Sequence, residues 1–218
     1  VSNFTAGQVY AEIIQKERRG DYLGGTIQVI PHITNEIKRR IGLVAKETGA
    51  EIVLVETGGT VGDIESQPFL EALRQLRNEV GRENAFFIHV TWLPYIGATG
   101  ELKTKPTQHS VAALRSIGIS PNMILARSDH PIDASLCDKI ALFCDVEKRA
   151  VIPMVTSRVL YEVPLLIERS GVAEYLVEKL NITPTKKPNW KPWEKLVETV
   201  YIQKPIVKVA LVGKYVEL

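Results

Sequence analysis

Apolar positions along this chain fall into two alternating rhythms, one helical and one extended. Val9, Ile13 and Ile14 share one face of a helix expected over Thr5–Arg19, with Asn3 or Thr5 as its cap. The run Lys16-Glu17-Arg18-Arg19-Gly20-Asp21-Tyr22 breaks it, and Thr26–Ile30 reads as a short strand closed by Pro31. Ile37, Ile41, Val44 and Ala45 predict an amphipathic helix over Asn35–Thr48. Ile52–Val55 is a continuous, β-branched apolar run, the pattern of a strand buried on both faces, and Gly58–Gly62 is the loop after it. Ser66-Gln67-Pro68 opens a helix striped by Phe69, Leu70, Leu73, Leu76 and Val80. The alternation continues with a strand at Phe86–Trp92, a helix at Thr107–Ile117, a strand at Met123–Ala126, a helix at Asp133–Phe143 and a strand at Ala150–Ile152. Helix then dominates Val163–Leu180. Strands alternating with helices imply parallel crossovers, so the expected fold is α/β: an open, mostly parallel sheet with flanking helices.

The pattern changes at Asn181. Pro184, Pro188, Pro192 and Pro205 are mixed with Lys186, Lys187, Lys191, Lys195, Trp190 and Trp193, which is the composition of a semi-rigid linker. Val207–Val212 then returns as an expected strand, followed by Gly213-Lys214-Tyr215. The whole chain has 218 residues, 45% hydrophobic and 24% charged, ordinary for a globular protein. A formal charge of +2 is too small to argue for nucleic acid or a membrane surface, so local charge clusters carry the information. Cys137 and Cys144 do not have metal-pair spacing and read as free thiols. No apolar run reaches the ~18 residues of a spanning helix, and the expected compartment is the cytoplasm.

Two strings carry the candidate chemistry. Glu56-Thr57-Gly58-Gly59-Thr60-Val61-Gly62-Asp63-Ile64-Glu65 puts three carboxylates around a glycine-rich turn at the expected carboxyl end of a strand, where ligands bind in open α/β sheets. Glu56 is suited to Mg²⁺, which takes oxygen ligands, and equally to capping a turn or pairing with a lysine. Asp63 and Glu65 suit hydrogen bonding to a nucleotide, or merely complement the dipole of the helix that follows. The second string is Lys103-Thr104-Lys105-Pro106-Thr107-Gln108. A residue before proline avoids the helical region, so Lys105 is expected to be extended, with Lys103 and Lys105 pointing the same way at one anion. Pro106-Thr107-Gln108 then starts a helix whose free N–H groups attract phosphate. The plainer alternative is a solvated basic loop. Lys139 is either a surface lysine or a ligand lysine, and Arg127-Ser128-Asp129 forms another candidate loop after a strand. His32 and His109 have no neighbour at metal spacing. Nothing matches G-x-x-x-x-G-K-[ST], since Gly213-Lys214 is followed by Tyr215, and no Ser or Cys elbow is present.

In one register from Asn3 to about Ile182, the chain resembles the synthetase (amidoligase) domain of the CTP synthase family. The resemblance is carried by Lys16–Gly24, Gln28–Asn35, Gly58–Glu65, Lys103–Ser110, Arg127–Asp129, Lys139–Phe143 and Tyr161–Pro164. It implies a P-loop NTPase-like amidoligase fold over 1–182, an interdomain linker over 183–205, and over 206–218 the first strand of a glutamine amidotransferase domain. It implies conversion of UTP to CTP, with ATP phosphorylating O4 of the uracil ring and ammonia from glutamine displacing the phosphate. Carried over by residue, Glu56 is implied as the Mg²⁺ ligand. Asp63, Ile64, Glu65, Lys103, Thr104, Lys105, Pro106, Thr107, Gln108 and Lys139 are implied to bind UTP or the inhibitor CTP. Val155, Thr156 and Ser157 fall where the family contacts ATP, although their sequence departs from the usual one there. A homotetramer, with UTP sites shared between subunits, and a GTP activator are further implications, with no nucleic acid or membrane partner. The family's P-loop strand and glutaminase cysteine match nothing in this sequence, so the chain is expected to be a fragment inactive by itself. A non-catalytic UTP- or CTP-binding relic of the same fold stays open as the alternative.

Overall fold

Three parallel strands organise the chain: β1 (Ile88–Trp92), β4 (Met123–Ser128) and β5 (Val151–Val155), in the order β1-β4-β5. The computed structural model describes residues 3–213. A two-stranded hairpin of β2 (Tyr95–Ile96) and β3 (Glu101–Leu102) projects between β1 and the helix that follows. Register runs from Ile88 opposite Met123 to Trp92 opposite Arg127, and from Ile124 opposite Val151 to Ser128 opposite Val155.

Each face of the β4–β5 pair is covered for the reason its side chains alternate. Ile124, Ala126 and Val151 point to one face and join Leu93, Leu102, Val111, Ile140, Ala141 and Cys144 in a core under α4 (Lys105–Ser116) and α5 (Ala134–Cys144). Met123, Ile152 and Met154 point to the other and pack with Val172 and Tyr175 beneath α6 (Val163–Arg169) and α7 (Val172–Lys179). His89 Nε2 and Ser110 Oγ share a 2.8 Å hydrogen bond that joins β1 to α4. Burial lowers the pKa of that imidazole, which keeps it neutral at pH 7.

A helical layer precedes the sheet. Thr5 caps α1 (Ala6–Arg18) in a reciprocal box with Gln8, whose amide donates to Thr5 Oγ1 at 3.3 Å while its side chain accepts from Thr5 N at 3.1 Å. Val9 and Ile13 meet Ile33, Ile37 and Ile41, the last two on α2 (Thr34–Thr48), together with Ala72 on α3 (Gln67–Val80). Leu70 of α3 then joins Leu114 and Ile119, which fastens this layer to α4.

Several expectations are corrected. Thr26–Ile30 forms no strand: Pro31 brings no N–H, no strand lies alongside among the described residues, and the Gln28 amide instead donates to His32 Nδ1 at 3.1 Å as the chain turns through Val29–Ile33. Ile52–Val55 is likewise not a strand and is not buried, Leu54 being 92% and Ile52 56% exposed. A β-branched run becomes a strand only where a neighbour takes up its backbone N–H and C=O groups, and no described strand does so here. The helical stretch expected over Val163–Leu180 is present as two helices, divided where Gly171 takes a left-handed φ of +76°.

Inside the proline-rich stretch, α8 (Lys191–Tyr201) forms, with Pro192 in its first turn, where proline's missing N–H costs nothing, and with Val197 buried. Val207–Val212 has no strand partner among the described residues and is exposed, and its continuation at Lys214 and Tyr215 lies outside the described residues. Cys137 and Cys144 are free thiols, as expected.

One buried charge ties α1 to α2. Glu36 is only 3% exposed and accepts from Arg39 at 2.8 and 2.7 Å, from Arg40 at 2.8 Å and from Lys16 of α1 at 3.3 Å. The Arg39 hydrogen bond, outweighing the burial penalty together with Arg40 and Lys16, holds its carboxyl at a pKa of about 2 against an ordinary 4.5. An acid held below its unfolded value stabilises the fold above pH 4.5, and that contribution fades as pH falls from 4.5 toward 2. Glu36→Gln is expected to cost about 1–3 kcal/mol at pH 7 and to flatten that acid limb, as read by urea unfolding across pH.

Candidate functional site

The carboxyl ends of β1, β4 and β5 lie side by side because the strands are parallel and in register. The chain leaving each strand is held to the same edge. Leu93 N donates to Arg127 O at 2.8 Å, and Thr156 N donates to Ser128 O at 2.8 Å. Lys103 N donates to Pro94 O at 2.9 Å, which folds the β2–β3 hairpin back and brings the start of α4 to this edge. Lys103–Gln108, Arg127–Asp129 and Val155–Ser157 therefore share one end of the sheet, the location at which open α/β sheets bind ligands.

Lys103, Lys105 and Lys139 converge there, by a route different from the expected one. Lys105 is not extended; it is the first residue of α4, with Pro106 behind it in the first turn. The proline is tolerated because first-turn N–H groups have no intrahelical acceptor anyway. Lys105 Nζ sits 5.8 Å from the centre of the Phe143 ring on α5, while Lys103 Nζ is bound by Glu101. The alternation that puts i and i+2 on one side holds for Glu101 and Lys103, not for the two lysines. Hydrogen bonding from Lys103, then its charge, pulls the Glu101 carboxyl below the usual carboxylate range, with Lys139 of α5 adding to the pull. Lys103 and Lys139 thus act on one carboxylate, and Lys105 stands against the Phe143 ring one turn along α5 from Lys139.

Thr104 and Thr107 are buried. Gln108 Nε2 donates to Thr104 Oγ1 at 3.1 Å, Gln108 N donates to Thr104 O at 3.1 Å, and Thr107 Oγ1 is buried without a partner. These groups shape the start of α4 and leave Lys105 exposed there. Beside them an aromatic group has formed: Tyr95 stacks on His130 with ring centres 3.8 Å apart, and the Arg127 guanidinium lies 5.8 Å from the centre of the Trp92 ring. Sequence spacing gave no sign of this pairing, since the hairpin brings Tyr95 to His130 from a different strand end. Glu101 was missed as well, although its place two residues before Lys103 was a legible signal.

The Gly58–Glu65 string is elsewhere. Gly59 and Gly62 take φ of +91° and +109°, which an L side chain rarely tolerates. Asp63 Oδ2 closes the turn by accepting from Thr60 N at 2.9 Å, and Asp63 O accepts from Ser66 Oγ at 2.9 Å. Ile64 and Glu65 stay exposed. Val61 packs against the cluster of Leu70, Leu114 and Ile119, so the string begins near the far end of α4. Nine residues separate Lys105 from Leu114, about 13 Å of helix rise. The two strings therefore approach α4 from opposite ends.

Glu56 is exposed, with Oε1 3.7 Å from where a Cβ on Gly58 would lie. Among the described residues no group of three or more His, Cys, Asp or Glu is arranged to hold an ion. A lone accessible carboxylate still fits Mg²⁺, a hard cation that keeps waters and substrate phosphates as its other ligands. Ser157 Oγ donates to Glu162 Oε2 at 2.6 Å, which fixes the Val155–Ser157 loop. A separate cleft of about 240 Å³ opens at the amino ends of the strands between Phe86, Asn122, Glu147, Tyr175 and Lys179, where Lys179 already pairs with Glu147.

Comparison with known proteins matches residues 1–182 to the family described as CTP synthase N-terminus. The chain belongs to that family. It is 60% identical over 218 residues to the CTP synthase of Roseiflexus castenholzii, covering 100% of this chain and 39% of that protein. The corresponding figures are 61% over 218 residues for the CTP synthase of Chloroflexus aurantiacus, with 40% of that protein covered, and 58% over 217 residues for that of Dehalococcoides mccartyi, also with 40% covered. The chain spans about two fifths of the length of the curated relatives it matches. No helix among the described residues is long and apolar enough to cross a membrane.

Glu101 and Lys103 are both substantially exposed, so their pair adds little to stability. Glu101→Gln is expected to leave unfolding unchanged and to tighten binding of inorganic triphosphate about two- to fivefold by releasing Lys103, as measured by calorimetry at low salt.

Proposed function

We propose that this chain supplies the nucleotide-binding part of a CTP synthase, which aminates UTP to CTP with ATP. The observation that carries the reading is the gathering of Lys103, Lys105 and Lys139 at the carboxyl edge, beside the free first-turn N–H groups of α4. That arrangement suits a triphosphate: three cations and a helix N-terminus oppose about four negative charges. Glu101 holds Lys103 in the absence of ligand and yields it to phosphate.

In the proposed reaction, O4 of UTP attacks the γ-phosphorus of ATP, and ADP leaves. Ammonia then adds at C4 and phosphate departs, giving CTP, ADP and phosphate. The lysines orient UTP and offset the charge of its phosphates, and positioning of this kind supplies much of the catalysis in phosphoryl transfer. Val155, Thr156 and Ser157 are proposed to line the ATP side. Glu56 would hold Mg²⁺, which when bound neutralises phosphate charge. Glutamine as the ammonia source, GTP as activator and a cytoplasmic setting belong to the same proposal.

The separation between the two strings bears on assembly. With Asp63, Ile64 and Glu65 near the far end of α4, they serve best as the nucleoside-facing side of a site whose lysines come from a neighbouring copy. A homotetramer with shared UTP sites has this character.

Lys103→Ala, Lys105→Ala and Lys139→Ala in the full-length protein are each expected to weaken UTP binding about tenfold or more, with thermal unfolding unchanged. Calorimetric titration with UTP reads this, and unaltered UTP affinity in all three variants would refute the triphosphate assignment. Turnover with ATP, UTP and ammonia tests the chemistry separately; UTP binding without CTP formation would identify a binding relic.

A further inference from the structure

The chain beyond residue 182, where the family match ends, returns to the candidate ATP loop. Trp193 Nε1 on α8 donates to Tyr161 O at 2.7 Å, and the two rings meet at 6.3 Å and 64°. Two turns along, the Tyr201 hydroxyl donates to Glu162 Oε2 at 3.2 Å. The same carboxylate oxygen accepts from Ser157 Oγ at 2.6 Å. Ser157 Oγ in turn accepts from Val159 N at 3.2 Å, and Glu162 N donates to Val159 O at 2.9 Å, so 157–162 is a closed knot.

The Glu162 carboxylate offers only acceptor atoms, and its Oε2 is shared between a hydroxyl of the loop and a hydroxyl of α8. Its orientation therefore depends on both. Deleting the Tyr201 hydroxyl frees the carboxylate to rotate toward water, and Ser157 then has a competing acceptor in Val159 O at 3.0 Å. A change of partner at Ser157 reshapes Val155–Ser157, because Thr156 is pinned to Ser128 O on one side and Ser157 to the knot on the other.

We infer that α8 is a strap and Glu162 a positioning residue: the Tyr201–Glu162–Ser157 relay sets the shape of the loop proposed to take ATP. The inference rests on the assignment of Val155–Ser157 to ATP made above. It makes ATP binding and the docking of α8 reciprocal, each strengthening the other by the same factor. The segment after residue 182 is then a reporter of ATP occupancy, not only a tether.

Tyr201→Phe in the full-length protein removes one hydroxyl and keeps the ring. Amide exchange at Val159 and Glu162 is expected to rise about three- to tenfold, ATP affinity to fall by a similar factor, and UTP affinity to stay unchanged. In a Glu162→Ala background, Tyr201→Phe should add nothing further. Unchanged exchange at Val159 and Glu162 in Tyr201→Phe, or additive effects of the two substitutions, would overturn the strap. Faster exchange with unaltered ATP affinity would uphold the strap while overturning the assignment of this loop to ATP.

Discussion

Everything at the carboxyl edge depends on β4 being hydrogen-bonded along both sides. Its residues pair in parallel with β1 from Met123 to Arg127 and with β5 from Ile124 to Ser128. Its last carbonyls, those of Arg127 and Ser128, then accept from Leu93 and Thr156, the first residues to leave the neighbouring strands. The starting points of three loops are thus set by one strand. Slipping the register by one residue would exchange Ile124 and Ala126 with Met123 and Leu125 between the two helical faces, and neither core tolerates that. The loops inherit their mutual geometry from this constraint, so charged groups distant in sequence, such as Lys103 and Lys139, share a field.

Carboxylates are used in two opposed ways. Glu36 is buried, saturated by three cations, and serves to fasten α1 to α2. Glu101 lies in the open with Lys103 and Lys139 acting on it, and its interaction with Lys103 is weak enough to be exchanged for another anion. The difference is solvent access. A charge pair withdrawn from water is costly to break, whereas one at the rim can act as a placeholder.

Elements whose stabilisation is local or symmetric were legible in the sequence. The capped α1, the stripes of α2 and α3, and the β4–α5–β5 alternation follow from spacing because each buries one continuous face. Ile52–Val55 misled because β-branching describes what a strand prefers, while pairing decides whether it forms. The α8 helix was hidden behind four prolines and a run of lysines; its own stripe of Trp193, Val197 and Tyr201 was the better signal. In the candidate site, residue types and their anion-binding character were readable from Lys103–Gln108. The partners were not, because Glu101, Phe143 and Lys139 reach that string through the hairpin and α5 rather than through sequence proximity. Proline before a helix was also read too strictly: at the first turn it follows a residue that is already helical.

The outer side of the sheet has a different consequence. β1 pairs with β4 alone among the described residues, and Ile88, Val90 and Trp92 line up on its uncovered face. Its free N–H and C=O groups are a template for another strand, and the side chains beside them are apolar. Such an edge is adhesive. A strand laid along β1 would find both backbone groups to pair with and an apolar strip to cover.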